Sequence, residues 1–151
     1  MNKKQIISDY LTGVNDITTV MNKISKKSYD FIPNHKDAWT IRQHIIHLVD
    51  SEVNHFIRIK SCIAQPYSNI FVIKEDDWTK NLENRNEDIS NYLSLFSMLR
   101  TILTSFLESV SDNDFENKYY IRNYNSKIEK ISLLNAVEMY RDHVYFHIEY
   151  V

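Results

Sequence analysis

Histidines spaced for metal binding occur near the C-terminal end of this sequence and in its second predicted helix. His143 and His147 are four residues apart. Residues at positions i and i+4 of a helix lie on one face, with Cβ atoms about 5–6 Å apart, so two imidazoles placed this way can bind one ion. A third imidazole, for which we consider His47, would come from a facing helix and leave coordination positions open. The pattern is typical of a reactive metal centre rather than a structural one.

The choice of the third ligand is not decided by periodicity. The second predicted helix carries His44, His47 and His55. His44 and His55 lie at the edge of its apolar arc, whereas His47 lies further round the helix, so the spacing alone even favours His44. A histidine pair at i, i+4 also arises by chance in many helices. The pair therefore becomes a strong signal only when a third ligand is identified.

Composition limits the class of protein. The 151 residues predict a single domain, 1–151, with its own hydrophobic core. One Gly and two Pro argue against a β-sandwich or barrel, whose many tight turns need glycine. A formal charge of −2 gives no electrostatic reason to expect a nucleic-acid partner. The lone Cys62, the lack of a signal-peptide core and the lack of a long apolar run predict a soluble cytoplasmic protein that does not span a membrane.

Apolar residues at helical spacing predict four long helices. Gly13 weakens the expectation that the first helix is unbroken. The second opens at Thr40, where Thr-Ile-Arg-Gln forms a capping box, and Asn84 and Glu87 are the expected cap region of the third. The expected bounds are about Lys3 to Lys26, Thr40 to Cys62, Glu87 to Val110, and Ser132 to the C-terminus.

The connections between these helices differ greatly in length. Residues 66–83 form a long connection containing Tyr67, Phe71 and Trp78, and connections of this length in a compact domain are usually functional or mobile. Residues 115–130 are rich in Tyr, Asn and Lys and predict a short hairpin or an extended strand. The pattern predicts an all-α four-helix bundle with long irregular connections between helices two and three and between helices three and four.

Several short motifs resemble the DinB-like superfamily. In that family a Trp and a capping Ser or Thr open the second helix, and the first metal histidine follows eight residues after the Trp. The stretch Trp39-Thr40-x6-His47-Leu48-x-Asp50-Ser51-Glu52 is similar to this signature. His143-x3-His147 and Asp76-Asp77-Trp78 occur where the family has its other two ligands and an acidic-aromatic element.

The resemblance implies a function as well as a fold. It implies a four-helix bundle in which His47, His143 and His147 bind a divalent metal, most often zinc or nickel. Characterised relatives are thiol-dependent S-transferases and a maleylpyruvate isomerase that use bacillithiol, mycothiol or glutathione, and others are regarded as metal-dependent hydrolases. The family name refers to DNA-damage induction and is not evidence of DNA binding. Homodimerisation is a further expectation from the family.

The chemistry of such a site favours one leading hypothesis. Three neutral imidazoles leave the full charge of the ion in place, so a bound thiol or water would lose its proton near neutral pH. We therefore predict a metal-dependent enzyme acting on a small molecule, with a transferase that adds a low-molecular-weight thiol to an electrophile as the leading hypothesis. A metal-dependent hydrolase is the alternative. A non-catalytic stress-response bundle with a vestigial metal site is the third hypothesis.

Charged and aromatic residues near the ligands are further candidates. Glu52 is the preferred catalytic carboxylate, because it lies on the apolar arc of its helix and would need a partner there. Asp50 and Asp142 are expected to be solvated surface charges. Arg58 and Arg141 could hold a substrate carboxylate, although bridging an acidic residue is the commoner role. The aromatic residues that could wall a pocket above the metal are Trp78, Tyr119, Tyr120 and Tyr124.

Overall fold

The computed structural model describes residues 2–34, 38–82, 87–124 and 126–151. Within these ranges four long helices pack as a bundle, in which α1 and α2 each contact both α4 and α6. The predicted four-helix bundle is therefore confirmed. In chain order the elements are α1 (Lys3–Met21), α2 (Ile41–Ala64), β1 (Asn69–Ile70), α3 (Glu75–Asn81), α4 (Ile89–Ser109), α5 (Asp112–Asn117), β2 (Tyr119–Tyr124), β3 (Lys127–Ser132) and α6 (Leu133–Ile148).

The helix ends follow local capping chemistry. Thr40 caps α2 in the predicted capping box with Gln43, in which each side chain bonds the other residue's backbone N–H. Ser132 caps α6 by accepting a hydrogen bond from the Asn135 N–H. For α4 the cap is Asp88, one residue beyond the expected position, and the expected cap residue Asn84 lies outside the described residues.

The first helix is shorter than predicted. It ends at Met21 rather than Lys26. The N–H of Asn22 still bonds the carbonyl four residues back, but those of Lys23 and Ile24 bond carbonyls only three residues back, which tightens the last turn. A separate 3-10 turn, Lys26–Ser28, follows after Ser25 has taken an extended conformation. Ile24, the single apolar residue between Met21 and Lys26, was therefore not enough to continue the helix.

The long connections are more ordered than expected. β2 and β3 form the hairpin that the composition of residues 115–130 predicts, with Tyr119 opposite Ser132 and Tyr124 opposite Lys127. β1, from the connection between α2 and α4, pairs in parallel with β2. The two long connections, which were predicted as independent segments, thus contribute strands to one three-stranded sheet. None of the described helices has the length and apolarity that a membrane span requires.

The bundle interior contains two apolar clusters separated by buried charge. Arg100 is 1% exposed, and its Nε donates to a carboxylate oxygen of Glu52 at 3.1 Å. The other guanidinium nitrogens donate to the carbonyls of Tyr10 and Tyr140, each at 2.6 Å. A buried charge is costly unless it is paired and hydrogen-bonded, and this arginine meets both conditions. It therefore links α4 to α1, α2 and α6.

Gly13 is required where Arg100 crosses α1. A Cβ atom at residue 13 would lie 2.9 Å from Nη1 of Arg100 and 3.0 Å from a methyl carbon of Val144. Both distances are shorter than ordinary van der Waals contacts. The single glycine of the chain thus lies inside an unbroken helix and permits a close approach between three helices.

Candidate metal centre

The three predicted ligands converge at one end of the bundle. Nε2 of His143 lies 3.2 Å from Nε2 of His47 and 3.0 Å from Nε2 of His147. One ligand atom from each of the three residues lies within 4.8 Å of the others. His47 comes from α2 and the other two come from α6, so the set forms only when these helices pack together.

The spacing of the nitrogens fits a bound divalent ion. Two nitrogens that bind a tetrahedral ion at about 2.0–2.1 Å lie about 3.3 Å apart, close to both measured separations. Three imidazole lone pairs directed at one point repel each other unless a cation or a proton lies between them. The donor set of three neutral nitrogens suits a first-row divalent metal and leaves at least one coordination position for another ligand.

Burial keeps these imidazoles neutral. It lowers the pKa of His47 to about 3, with further lowering by the nearby His143 and His44. It lowers the pKa of His143 to about 4, with a contribution from Arg100, and it lowers that of His147 to about 2. Neutral rings keep the lone pairs that a metal needs at neutral pH.

A fourth histidine orients His147. Nδ1 of His147 lies 2.8 Å from Nδ1 of His44, so one of these two atoms carries the shared hydrogen. When His147 donates from Nδ1, its Nε2 is left free to face the other two ligands. His44 is buried and stacks on Tyr150, with ring centroids 5.7 Å apart. This is the outer-shell arrangement that commonly fixes the tautomer and ring orientation of a metal-binding histidine.

A family model of the DinB superfamily matches residues 12–151 of this chain. The chain belongs to the DinB superfamily. This confirms the resemblance of the Trp39-Thr40 and histidine motifs, and the match includes the segments that carry the three candidate histidines.

Proteins similar to this DinB-superfamily chain are known from bacilli. YfiT of Bacillus subtilis is 29% identical over 119 residues, which cover 79% of this chain and 65% of YfiT. A Bacillus licheniformis protein is also 29% identical over 119 residues, covering 79% of this chain and 66% of that protein. Both are named as probable metal-dependent hydrolases. The chain thus spans about two thirds of the length of these relatives.

A solved structure of YfiT from Bacillus subtilis has the same fold. It matches with a TM-score of 0.88 and 25% sequence identity, covering 99% of this chain and 83% of that chain. That structure is described as a probable metal-dependent hydrolase with an unusual four-helix bundle topology. The likeness extends over the whole bundle, including the helices that carry the histidines.

The histidines of this DinB-superfamily chain lie beside a cavity of about 480 Å³. Its aromatic wall comes from Trp39, Phe146 and Tyr150, and Glu75 contributes a carboxylate. The indole of Trp39 lies against three histidines, with ring centroids 5.1 Å from His47. The cavity is large enough for an organic molecule to reach the ligand nitrogens.

Glu52, the predicted catalytic carboxylate, lies in the bundle interior. It is 1% exposed and is bonded to Arg100 and to the hydroxyl of Tyr10. Burial raises the pKa of its carboxyl, and Arg100 opposes that shift. Among the described residues Glu52 is not one of the groups that meet at the three histidines. Its catalytic role stays a prediction, while its contacts show a structural role.

The other acidic candidates differ from each other. Asp50, expected to be a solvated charge, is half-buried and lines a small cleft with His47 and Trp78. Burial raises the pKa of Asp50 to about 6. Asp142 is exposed and pairs with its neighbour Arg141 at 2.7 Å, in agreement with the expected surface role.

Three of the four aromatic residues expected above the metal lie elsewhere, whereas Trp78 lines the small cleft that also contains His47 and Asp50. Tyr120 is fully buried in the apolar core, and Tyr119 stacks against Tyr67 at a centroid distance of 4.6 Å. Tyr124 lines a separate cavity, described below. In the larger cavity beside the histidines the aromatic wall is formed instead by Trp39, Phe146 and Tyr150, because all three tyrosines belong to β2.

Two residues with central contacts were not predicted from the sequence, Arg100 in the bundle interior and His44 beside the three histidines. Arg100 occupies the apolar stripe of α4, four residues after the buried Phe96, and a lone arginine on such a stripe indicates a buried ion pair. His44 was considered only as an alternative ligand. Its position three residues before His47 places it on nearly the same face, but only the packing of α6 shows that it contacts His147.

Proposed function

We propose that this chain is a divalent-metal-dependent enzyme that acts on small molecules. The observation that carries the proposal is the convergence of three Nε2 atoms, with separations of 3.0 and 3.2 Å, beside a cavity of about 480 Å³. The names of the similar bacterial proteins support the same class. A divalent ion held by these three nitrogens would supply a Lewis acid that lowers the pKa of a thiol or water ligand.

Zinc and nickel are the metals that we propose for the site. Both bind neutral imidazole well, and zinc most often has four ligands, which leaves one position free beside three histidines. His44 and Trp39 would hold the ligand rings in place without occupying that position. Availability also selects among first-row metals, so loading with each metal separately is part of the test.

Thiol S-transfer is the reaction that we place first. In it the thiol sulfur forms a bond to an electrophilic carbon, the thiol proton passes to solvent, and the leaving group departs with its electron pair. The aromatic wall of Trp39, Phe146 and Tyr150 would bind the electrophile. The chain's own thiol does not compete, since Cys62 is fully buried and burial raises its pKa to about 11.

Hydrolysis is the second candidate, favoured by one specific residue. The Glu75 carboxylate lines the same cavity as the three histidines. Burial raises the pKa of Glu75 and the neighbouring Asp76 raises it further, whereas Arg58 and Arg122 lower it by less. A carboxylate with a raised pKa can take a proton from an attacking water and return it to the leaving group. Glu75→Gln would then abolish ester turnover without changing metal content.

The first experiment is metal content per chain after loading with zinc or nickel. Wild type is expected to hold about one ion, and a His143→Ala/His147→Ala double variant is expected to hold little. Asp142→Ala, an exposed change on the same helix, is the matched control and should load like wild type. Equal loading of wild type and the double variant would overturn the proposal.

Two assays then separate the reactions. Loaded protein is mixed with glutathione or bacillithiol and monochlorobimane for S-transfer, and with p-nitrophenyl acetate without thiol for hydrolysis. Turnover that requires both metal and thiol supports the transferase. Thiol-independent turnover that Glu75→Gln removes supports the hydrolase. Stoichiometric metal without turnover in either assay would instead favour the non-catalytic bundle.

A further inference from the structure

A second polar cavity of about 290 Å³ lies next to the metal centre, between α2, α6 and the sheet. Two arginines, Arg58 and Arg122, line it together with the side chains of Asn54 and Tyr124. None of these four residues is among the three predicted metal ligands. The combination of a partly open cavity and two guanidinium groups is suited to an anionic ligand.

Arg58 is a buried cation that forms no ion pair among the described residues, although its charge acts on Glu75 and lowers the pKa of that carboxyl. It is 7% exposed, and it donates to the hydroxyl of Tyr140 at 2.6 Å and to the carbonyl of Phe71 at 2.9 Å. Its Nε has no hydrogen-bond partner among the described residues. Among the described residues no carboxylate lies within 4.0 Å of this guanidinium. A buried charge in this condition is stabilised when an anion enters beside it.

Arg122 adds a second positive group to the same cavity. Its Nε and Nη2 donate to the Glu129 carboxylate at 2.8 and 2.6 Å, so that Nη1 is not used by this ion pair. Glu129 fixes the direction of this side chain, and the ring of Tyr124 lies 5.2 Å from the guanidinium. Arg122 is therefore held in place before any ligand binds, which lowers the entropic cost of binding.

The cavity is adjacent to the metal centre. Ser51 lines it, and the Ser51 hydroxyl lies 3.4 Å from Nε2 of His47. Glu75 lines both this cavity and the one beside the three histidines. One small molecule with an anionic end and a reactive end can therefore contact both places.

We propose that Arg58 and Arg122 bind an oxyanion group of the substrate, a carboxylate or a phosphate, while its reacting group lies at the three histidines. The inference rests on the proposed function, since it names the substrate class of that site. It implies that uncharged thiols and esters are poorer substrates than those carrying an anionic group.

The direct test measures anion binding to metal-free protein, so that the metal makes no contribution. Succinate and inorganic phosphate are each titrated by calorimetry or by NMR shifts. Arg122→Gln is expected to weaken the better-bound anion about tenfold, the effect of losing one charge-assisted hydrogen bond. Glu75→Gln is expected to tighten binding, because it removes a competing carboxylate. Arg141→Gln, on the outer face of α6 and paired with Asp142, is the control and should match wild type.

Arg58 needs a charge-preserving comparison, because its hydrogen bonds also hold Tyr140 and Phe71. Arg58→Lys is expected to keep anion binding within about threefold, and Arg58→Gln is expected to lose most of it. The preference between succinate and phosphate identifies the anion class. Anion affinity unchanged in both Arg122→Gln and Arg58→Gln would overturn the inference. Failure of the proposed function would be recognised differently, because wild-type protein would then bind no metal.

Discussion

His44 shows how a residue outside the ligand set can control the site. Its Nδ1 lies 2.8 Å from Nδ1 of His147, and the ring is held by stacking on Tyr150. Outer-shell partners of this type typically contribute 10–100-fold to metal affinity. The contact therefore predicts a measurable role for a histidine that does not bind the ion itself.

We expect His44→Ala to weaken zinc binding by roughly 10–100-fold, because His147 would lose the partner that fixes its ring. His44→Gln, whose amide oxygen can accept the same hydrogen bond, should recover part of the loss. Competition with a chelator of known affinity gives the constants. Equal affinities for wild type and His44→Ala would show that packing alone orients His147.

Glu52 is the residue whose catalytic and structural roles must be separated. Because it is the ionic partner of the buried Arg100, Glu52→Gln is expected to lower the free energy of unfolding by about 3–5 kcal/mol. Urea denaturation measures this change. A Glu52→Gln/Arg100→Met double variant should regain part of the stability, since no buried charge then lacks a partner.

The catalytic prediction for Glu52 has its own measurement. Activity is compared per folded, metal-loaded chain for wild type and Glu52→Gln. A large loss at unchanged metal content would support a catalytic role. Unchanged activity would leave Glu52 with the structural role that its contacts to Tyr10 and Arg100 show.

At the scale of elements, α1 depends on a residue that helix propensity disfavours. Gly13→Ala in a helix ordinarily stabilises a protein by about 0.4–1 kcal/mol. Here the added methyl would lie 2.9 Å from Nη1 of Arg100 and 3.0 Å from Val144. The guanidinium cannot move away easily, because the same nitrogen donates to the Tyr10 carbonyl.

We therefore expect Gly13→Ala to destabilise the protein by about 1–3 kcal/mol, as overpacking does in other cores. Ser8→Ala, at an exposed position of the same helix, is the control and should be neutral or slightly stabilising. Thermal and urea unfolding measure both variants. A stabilising Gly13→Ala would contradict the close approach of α1 and Arg100.

At the scale of the whole molecule, the buried histidines make stability depend on pH. Burial lowers the pKa of His47 to about 3 and that of His143 to about 4, whereas unfolded histidine titrates near 6.5. As pH falls below about 6.5, the unfolded chain binds protons that the folded chain does not, and this favours unfolding. Asp50 has the opposite effect. Its pKa is raised to about 6, so as the pH falls the folded state binds this proton at a higher pH than the unfolded state does, which favours folding.

Metal-free protein is thus expected to lose stability between about pH 6.5 and 4, by about 1.4 kcal/mol per pH unit for each uncompensated proton. Urea midpoints measured across this range test the sign. The His143→Ala/His147→Ala variant should show a shallower slope, since two of the titrating groups are gone. A wild-type curve that rises toward pH 4 would contradict the buried, neutral histidines.

The state of association is a separate whole-molecule prediction. The expected homodimer stays a prediction, and sedimentation of the metal-loaded protein measures it. Several large apolar side chains of α2 and α4 are exposed, among them Ile57 and Met98. Substitutions on this exposed face can therefore be tested for their effect on the state of association.

Features that depend on residues close together in the chain could be predicted from the sequence alone. The capping box at Thr40, the apolar stripes of four helices and the i, i+4 pair of His143 and His147 depend on residues within one or two turns of each other. Local backbone geometry therefore determines them. The ordered motifs of Trp39, His47 and the C-terminal pair were also sufficient to predict the family.

Contacts between distant segments were decided only by the tertiary structure. Helical periodicity did not distinguish His44 from His47, and the choice depends on how α6 packs against α2. The ion pair of Glu52 with Arg100 joins residues 48 positions apart, and the cavity of Arg58 and Arg122 joins α2 to a strand beyond α4. A helix pattern shows which face is buried but not which side chain lies opposite, because that depends on the rotation and crossing of neighbouring helices.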